Sequence, residues 1–563
     1  MRVFILTIFA AVAALAQDTT ANTLVTSKHT PTADAPVFGT QAYFKRVWNT
    51  PAPKIELKSP VRLNDYVKDG KFELSLRDYL DLVLANNTDI QIQRLSVEQP
   101  RNAILRGYSI FDPLVTAGFT TTRRQTPASD ALAGASVVNQ LTQPFTFRYQ
   151  QVLPTGTMYN VDFNNTKLST NSALSFFNPA YNSGFNANIS QPLLRNRGSY
   201  YTKLPITIAR SRLRGSEYAI QDQILRLVAN AENAYWQVVS ARENLRVQEQ
   251  ALALFDQSLK RAQRELELGA ISELEIFQPR AQYANAEILV SQARFALQQA
   301  EDALRRQMAS DLDPRLRELP MVLTEELAPP VQANFEKETV VDQALRLRPD
   351  LRAARQNIDV ADLQISAANN ALKPDLRLTA QYGSSGRGGT FYQRSNVFGE
   401  DGTRNTIVSV IPGGIGDSID QLFGFNYPVY GFGLALQLPI RDRRASADYA
   451  DAVVNKRLEL LRVRSQEENA RLEVLNAITQ VENSRASIEL AKIALDLVQK
   501  RVEADQKRYD LGTITLFFLL DSQTQLTQAQ STLVNQTVQY RRNLTNLYRT
   551  TGNLLSERGI AVQ

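Results

Sequence analysis

Apolar residues recur every seven positions along two long stretches of this chain, and that spacing constrains the fold more than any other feature. In the C-terminal stretch the series runs Val474, Val481, Ile488, Leu495, Val502, Tyr509. It pauses at Gly512 and resumes with Leu519, Leu526, Leu533, Tyr540 and Leu547. About 243 residues earlier the same series reads Ala231, Val238, Leu245, Leu252, Leu259, Leu266, a pause at Gly269, then Ile276, Tyr283, Val290, Leu297, Leu304. A strict seven-residue repeat stays on one side of a helix only when helices supercoil left-handedly around each other. Each copy therefore predicts an ascending helix, a tight turn and a returning helix. The ascending helices, at about 205–268 and 441–511, reach roughly 100 Å at ~1.5 Å per residue. Gly269 and Gly512 mark the hairpin tips, because glycine enters the left-handed conformation that ends a helix without a steric penalty.

Shorter correspondences extend the duplication. "NNTDIQI" (Asn86 to Ile92) answers "LRPDLRA" (Leu347 to Ala353), "SQPLL" answers "QLPI", and "LELGAIS" answers "YDLGTIT". The expected division is a first repeat at 71–309, a linker at 310–335 with Pro314, Pro320, Pro329 and Pro330, and a second repeat at 336–552. A tail follows at 553–563. Residues 1–16 end in Ala14-Leu15-Ala16 after an apolar stretch and read as a secretory signal peptide. Residues 17–70 read as an extended N-terminal arm.

Between the helical blocks the period drops to two. Val115/Ala117/Phe119, Phe145/Phe147/Tyr149, Tyr159/Val161/Phe163 and Phe185/Ala187/Ile189 alternate with polar or small residues in the first copy. Leu376/Leu378/Ala380/Tyr382 and Tyr430/Phe432/Leu434/Leu436 do so in the second. These predict strands within about 112–191, at 375–383 and at 429–438. A soluble sandwich would hide the apolar face in a core; a membrane barrel turns it toward lipid. The export signal and the absence of an apolar run near the ~20 residues of a membrane helix favour the barrel. "LPTG" (Leu153 to Gly156) reads as a tight turn. Arg123–Pro144, Lys167–Gly184 and Gly383–Tyr427 read as long loops at the opposite end.

The residue inventory argues against catalysis. The chain has no cysteine and one histidine, His29, so thiolate chemistry, disulfides and histidine-based metal or acid–base sites are not expected. We expect no cofactor and no metal. The formal charge of +6 is small for 563 residues, and no basic run is interleaved with aromatics, so nucleic acid is not an expected partner. "GRGG" at Gly386 and "PGGIG" at Pro412 lie outside any strand-to-helix turn and do not read as phosphate loops.

Strands feeding heptad hairpins in two copies, with "LSLRDYLDLVLANNTDI", "ISQPLLRNRG", "LELGAIS" and "YDLGTITLFFLLDSQTQLTQAQ", resemble the TolC family of outer-membrane efflux and secretion ducts over roughly 74–552. The resemblance implies an α+β membrane protein: a homotrimer with a β-barrel in outer-membrane lipid, continuous with a periplasmic α-helical barrel. It implies a passive exit duct supplied by an inner-membrane pump through a periplasmic adaptor (membrane fusion protein). Asp521, in "LLDSQ", matches a lumen-facing aspartate of the constriction, and Glu275 matches an acidic tip position. Leu268-Gly269-Ala270 and Leu511-Gly512-Thr513 match the turns against which adaptor tips dock. Ile514 stands where some members have an arginine, and Phe518 where some have a second aspartate. An ionic latch built from those positions is therefore not expected, and Phe517 or Phe518 could constrict the pore instead. The family plan has two strands per copy and twelve per trimer. The hairpin Phe145–Phe163 either lies outside the barrel or raises the count to eighteen. The cargo, small molecules or proteins, stays open, and a poreless exported coiled-coil scaffold is the rival reading.

Overall fold

The structure is a computed structural model and describes residues 37–48, 63–128, 133–173, 175–310, 317, 319–325, 335–395 and 406–560. The signal segment lies outside the described residues, as do most of the arm and much of the linker. The chain divides into two compact units, Met1–Ser59 and Pro60–Gln563.

In the first unit, helix α1 (Gln41–Trp48) interrupts the stretch expected to be extended. Its aromatic rings stack on one another, Phe44 on Trp48 with centroids 5.3 Å apart.

The second unit contains all the other described elements. A short sheet joins β1 (Val67–Lys68), β2 (Lys71–Leu74) and β8 (Met321–Leu323). Three helices follow β2: α2 (Leu76–Asn86), α3 (Thr88–Ser96) and α4 (Glu98–Tyr108). Ser75 caps α2 by accepting from the Asp78 N–H, and Asn87 caps α3 by accepting from the Asp89 N–H, as short polar side chains do at helix starts. After the strands β3 (Leu114–Phe119), β4 (Thr122–Pro127), β5 (Val137–Val152), β6 (Met158–Thr170) and β7 (Phe177–Pro192) come the hairpin helices α5 (Gly198–Glu267) and α6 (Phe277–Gln307). A second set of helices, strands and a helical hairpin follows. It has α7 (Lys337–Leu347), α8 (Pro349–Ala371), β9 (Asp375–Arg394), β10 (Ile407–Ile411), α9 (Ile415–Phe423), β11 (Pro428–Gln437), α10 (Arg443–Asp510) and α11 (Leu516–Thr551). A terminal turn, α12 (Leu554–Glu557), closes the chain.

The hairpin helices run as the heptads require. From Ser216 to Glu267 and throughout α10 there is no glycine or proline to break the helix. All the heptad positions named above are buried or half-buried, and none is exposed. Each fully buried Leu, Ile or Val contributes roughly 1.5–3 kcal/mol of transfer free energy, so the stripe holds each hairpin along its length. The largest core gathers Tyr79, Leu80, Val83 and Ile90 with Tyr235, Trp236, Leu304 and the terminal Leu554. A smaller one joins Val341 and Ala344 to Val474, Ile478, Tyr540 and Leu547.

The large sheet contains eight strands among the described residues, in the order β10-β9-β7-β6-β5-β3, with β4 also on β5 and β11 also on β9. Because β3 and β4 pair with successive stretches of β5, and β11 and β10 with successive stretches of β9, the strands form six columns. All predicted strands are present. Phe147 (β5) and Val161 (β6) lie between β3 and β7, so the hairpin that could have lain outside is part of the sheet. The expectation of long loops needs correction. Much of Arg123–Pro144, Lys167–Gly184 and Gly383–Tyr427 is strand, and α9 lies within the last. The reason is periodicity: beyond the aromatic stretch both faces first become polar or small (Asn164, Asn165, Asn182, Ser183, Ser384, Ser385), and farther out apolar residues fall on adjacent positions (Val137 and Val138, Phe391 and Tyr392, Ile407 and Val408), so two-residue alternation fades while the pairing continues.

Candidate constriction and sheet wall

Both hairpin tips close with the same hydrogen bonds. At the first, the Gly269 N–H donates to Leu266 O and the Ala270 N–H to Glu265 O; at the second, Gly512 donates to Tyr509 O and Thr513 to Arg508 O. This is the paired closure in which a left-handed residue satisfies the last carbonyls of a helix. Gly269 has φ 68° and Gly512 φ 72°. The preceding leucines stand out into solvent, Leu268 with 83% and Leu511 with 78% of its surface exposed.

The apolar knot after Gly512 divides into two jobs. Leu519 and Leu520 are buried and Leu516 half-buried; Leu516 and Leu520 pack against Ala251, Leu252, Phe255 and Ala286 of the first hairpin. Phe517 and Phe518 are about half exposed and meet edge to face, with centroids 5.5 Å apart. Ile514 is half-buried in the turn, and Glu275 is exposed just before α6. Asp521 follows the knot on α11, where Gln525 donates to it at 2.8 Å and the Arg501 guanidinium lies 3.7 Å away. Asp521 and Glu275 thus belong to different hairpins, and Asp521 shares its charge with a cation of its own hairpin.

An ionic link between the hairpins does exist, built from residues that the motif comparison did not single out. Arg261 of α5 donates to Asp510 of α10 and to Glu265 on its own helix at 2.9 Å. Its guanidinium lies over the Tyr509 ring at 4.7 Å, and the Tyr509 hydroxyl donates to Glu265 at 2.6 Å. The Tyr509 hydroxyl is pushed up, first by burial and then by the Glu265 carboxylate. The Asp510 carboxyl is held below its ordinary value by Arg261. The signal was available: Tyr509 occupies a heptad position, and its hydroxyl needs a partner when half-buried.

The wall residues sort by register. One face of the sheet carries Val115, Phe147, Val161, Ala187, Tyr382, Tyr430 and their alternating neighbours; the other carries Asn160, Asp162, Asn186, Asn188 and Gln381, with Arg148 paired to Asp162. The apolar stretch is not level across the sheet. Its centre moves from Ala117 on β3 and Phe147 on β5, through Val161 and Ala187, to the Thr379/Gly433 level on β9 and β11. That is a slip of about five residues, or ~17 Å, over five inter-strand spacings, or ~24 Å. A level apolar band on these strands therefore requires a strand tilt of about 35°, within the range of membrane barrels.

A two-faced antiparallel sheet with one apolar band, carried on two long helical hairpins, defines an outer-membrane wall with a helical extension. The chain belongs to the outer membrane efflux protein family, whose sequence pattern matches residues 79–310 and 340–553; the TolC resemblance is thereby established, and with it the outer-membrane location. Among curated relatives, the outer membrane protein TolC of Escherichia coli is 27% identical over 330 residues, 58% of this chain and 62% of that protein. The probable efflux pump outer membrane protein TtgC of Pseudomonas putida is 22% identical over 345 residues, 60% of this chain and 62% of the relative. The chain thus matches less than two thirds of the length of these relatives. The fold is similar to the Campylobacter jejuni CmeC outer membrane channel, with TM-score 0.59, 16% identity, and 90% of each chain covered. It is likewise similar to VceC of Vibrio cholerae, with TM-score 0.58, 16% identity, 85% of this chain and 96% of that one.

Proposed function

We propose that three copies of this chain form an outer-membrane exit duct that passively conducts cargo handed over by an inner-membrane pump and a periplasmic adaptor. The slanted apolar band carries the reading: on a closed barrel of tilted strands it becomes a level belt facing lipid. Six columns are fewer than the eight strands of the smallest membrane barrels, and their open edges cannot stand in hydrocarbon. Closure therefore takes several copies. Three copies give eighteen columns, half as many again as the twelve that the family plan implies, and a correspondingly wider wall. The Asn-rich face then lines a hydrated lumen.

The helices support the same arrangement. α10 leaves Leu490, Ile493 and Leu497 exposed, and α6 leaves Ile288 and Phe295 exposed. Both stripes lie about four to seven helical turns from their tips, so α10 of one copy meets α6 of the next head to tail, as a closed ring needs. In this reading Phe517, Phe518 and Ile514 narrow the inner mouth and Asp521 and Glu275 charge it. Leu268-Gly269-Ala270 and Leu511-Gly512-Thr513 receive the adaptor. The two repeats, with their linker and tail, are the internal symmetry that lets two hairpins per chain build the tunnel.

Planar-bilayer recording of the purified protein tests this. We expect cation-preferring channels; Asp521→Asn lowers the preference, and Arg501→Gln, which frees Asp521, raises it. Folded protein that gives no conductance would favour the poreless scaffold. Unchanged selectivity in both variants would remove Asp521 from the constriction.

A further inference from the structure

We propose that α9 and the aromatic turn after it (Ile415 to Tyr427) are a lipid anchor at the extracellular edge of the apolar belt, seated among phosphate-bearing headgroups. This rests on the barrel reading above, since it needs the apolar face to be the outer one. Three observations place the segment. First, it is built into the wall, on the apolar side. A Cβ at Gly386 would stand 1.9 Å from Ser418 O, and one at Gly388 2.3 Å from Gly414 O, so only glycines let the helix lie this close. The Ser418 hydroxyl meets that of Ser183 at 2.8 Å, and Gln421 accepts the Arg387 N–H at 3.0 Å. Second, the segment continues the belt. Phe425 packs on Tyr382, the last belt residue of β9, with centroids 5.8 Å apart. Phe423, Phe425 and Tyr427 are all exposed, and aromatic rings are the residues that favour a membrane interface. Third, the outer flank of α9 is apolar. Ile415 and Phe423 are exposed and Ile419 half-buried between them at helical spacing, while Ser418 and Leu422 take the buried side. Lys167 and Arg123 lie on the same face of the sheet, beyond the belt, where they match headgroup phosphates.

The chain has no cysteine, so any single Cys variant carries the only nitroxide label. The full-length protein is reconstituted in phosphatidylethanolamine–phosphatidylglycerol vesicles, and label access to oxygen and to a water-soluble nickel chelate is compared. Glu275→Cys at the tip serves as the water reference and Phe432→Cys in mid-belt as the lipid reference. We expect Phe423→Cys and Ile415→Cys to favour oxygen several-fold over the Glu275 reference, yet less than Phe432→Cys. If Phe432 reads as lipid while Phe423 and Ile415 read as water, the anchor is wrong and the barrel stands. Shielding of Phe423 from both reagents means that a second copy covers it, which also overturns the anchor. If Phe432 itself reads as water, the barrel reading fails and the anchor with it.

Discussion

Each half of the chain runs from short helices through strands to a long helical hairpin, and the two differ in chemistry most plainly at the elbow where a short helix meets the hairpin. In the first half the Asn87 side chain caps α3 and donates to Gln307 O at the end of α6. In the second, Arg348 donates to Thr550 O at the equivalent end of α11. It also binds Asp350 and Glu473, each at 2.8 Å. Asparagine can do both jobs because its oxygen caps and its nitrogen reaches across. Arginine cannot cap, and here Pro349 starts the helix instead, needing no partner for an N–H it lacks. The difference follows the cores. The first elbow backs onto the large apolar cluster around Tyr79 and Tyr235, the second onto the smaller one around Val341 and Val474. At this elbow the half with the smaller apolar cluster uses ion pairs where the other uses an amide.

The sharpest way to break the comparison is a buried charge present in one half only. Glu232 on α5 is fully buried. Arg558, beyond α12, donates to it from Nε at 3.0 Å, and the Thr545 hydroxyl donates at 2.7 Å. About 243 residues later, at the matching position, the second half has Leu475. Arg558→Ala strands the carboxylate and is expected to destabilise by about 3–5 kcal/mol. Glu232→Leu together with Arg558→Leu makes the first half chemically like the second and should recover most of that loss, as buried pairs replaced by apolar groups do. Urea unfolding followed by circular dichroism measures both; a double variant as damaged as the single would show that the pair is more than a charge balance.

The elbows themselves come next. Arg348→Ala leaves Asp350 and Glu473 without their cation and should lower stability by about 2–3 kcal/mol. Asn87→Ala, losing a cap and one bond, should lower it by about 1–2 kcal/mol. The Asp350 carboxyl gives the sign in pH: burial raises it, but Arg348 more than offsets this and holds it below its ordinary value. The second elbow's advantage is therefore present above about pH 4 and fades as pH falls below that, whereas the first is indifferent. Equal acid sensitivity of the two single variants would contradict this.

A smaller effect separates the tips. Arg261→Ala removes the link to Asp510 and should speed amide exchange several-fold at residues 505–521. Asp510 is depressed by Arg261, so the link persists above the usual carboxylate range near 4 and loosens only in stronger acid. The Tyr509 hydroxyl, shifted up, stays a donor throughout. Protection at these amides, taken relative to the intrinsic exchange rate at each pH, should stay level between pH 5 and 9; protection that changes in that range would point to another group.

What the sequence carried was periodic. Heptads and two-residue alternation located both hairpins and all the predicted strands, because each is a long average over one buried face. The tip leucines and glycines were legible through their turn chemistry, and the division of the knot into buried Leu519 and Leu520 and exposed Phe517 and Phe518 follows from helical spacing. What escaped was pairwise and distant: Arg261 with Asp510, Glu232 with Arg558, Gln421 with the Arg387 N–H. No local pattern records which helix face meets which. α9 escaped because nine residues inside a Gly-rich stretch resemble a loop until the glycines of the facing strand show what they make room for.

The last contrast is the finest, and it lies where each returning helix ends. Gly552 ends α11 with φ 79°; its N–H donates to Arg549 O and the Asn553 N–H to Tyr548 O. At the matching place after α6 stands Ala309, with φ 55°, its N–H donating to Arg306 O. There the Ser310 hydroxyl, not a backbone N–H, donates to Arg305 O. An alanine in the left-handed region carries a penalty of about 1–2 kcal/mol; Ala309→Gly relieves it, but the higher entropy of the unfolded chain offsets about 0.4–1 kcal/mol of that gain. Ala309→Gly should therefore stabilise by roughly 0.5 kcal/mol. Gly552→Ala meets both the left-handed penalty and the Arg348 backbone, whose N lies 3.3 Å from the new Cβ, so it should destabilise by about 1–2 kcal/mol. The pair of signs is the test, read from urea midpoints. If both variants destabilise, Ala309 is held by its buried methyl rather than tolerated in spite of its backbone, and the two helix ends are not equivalent.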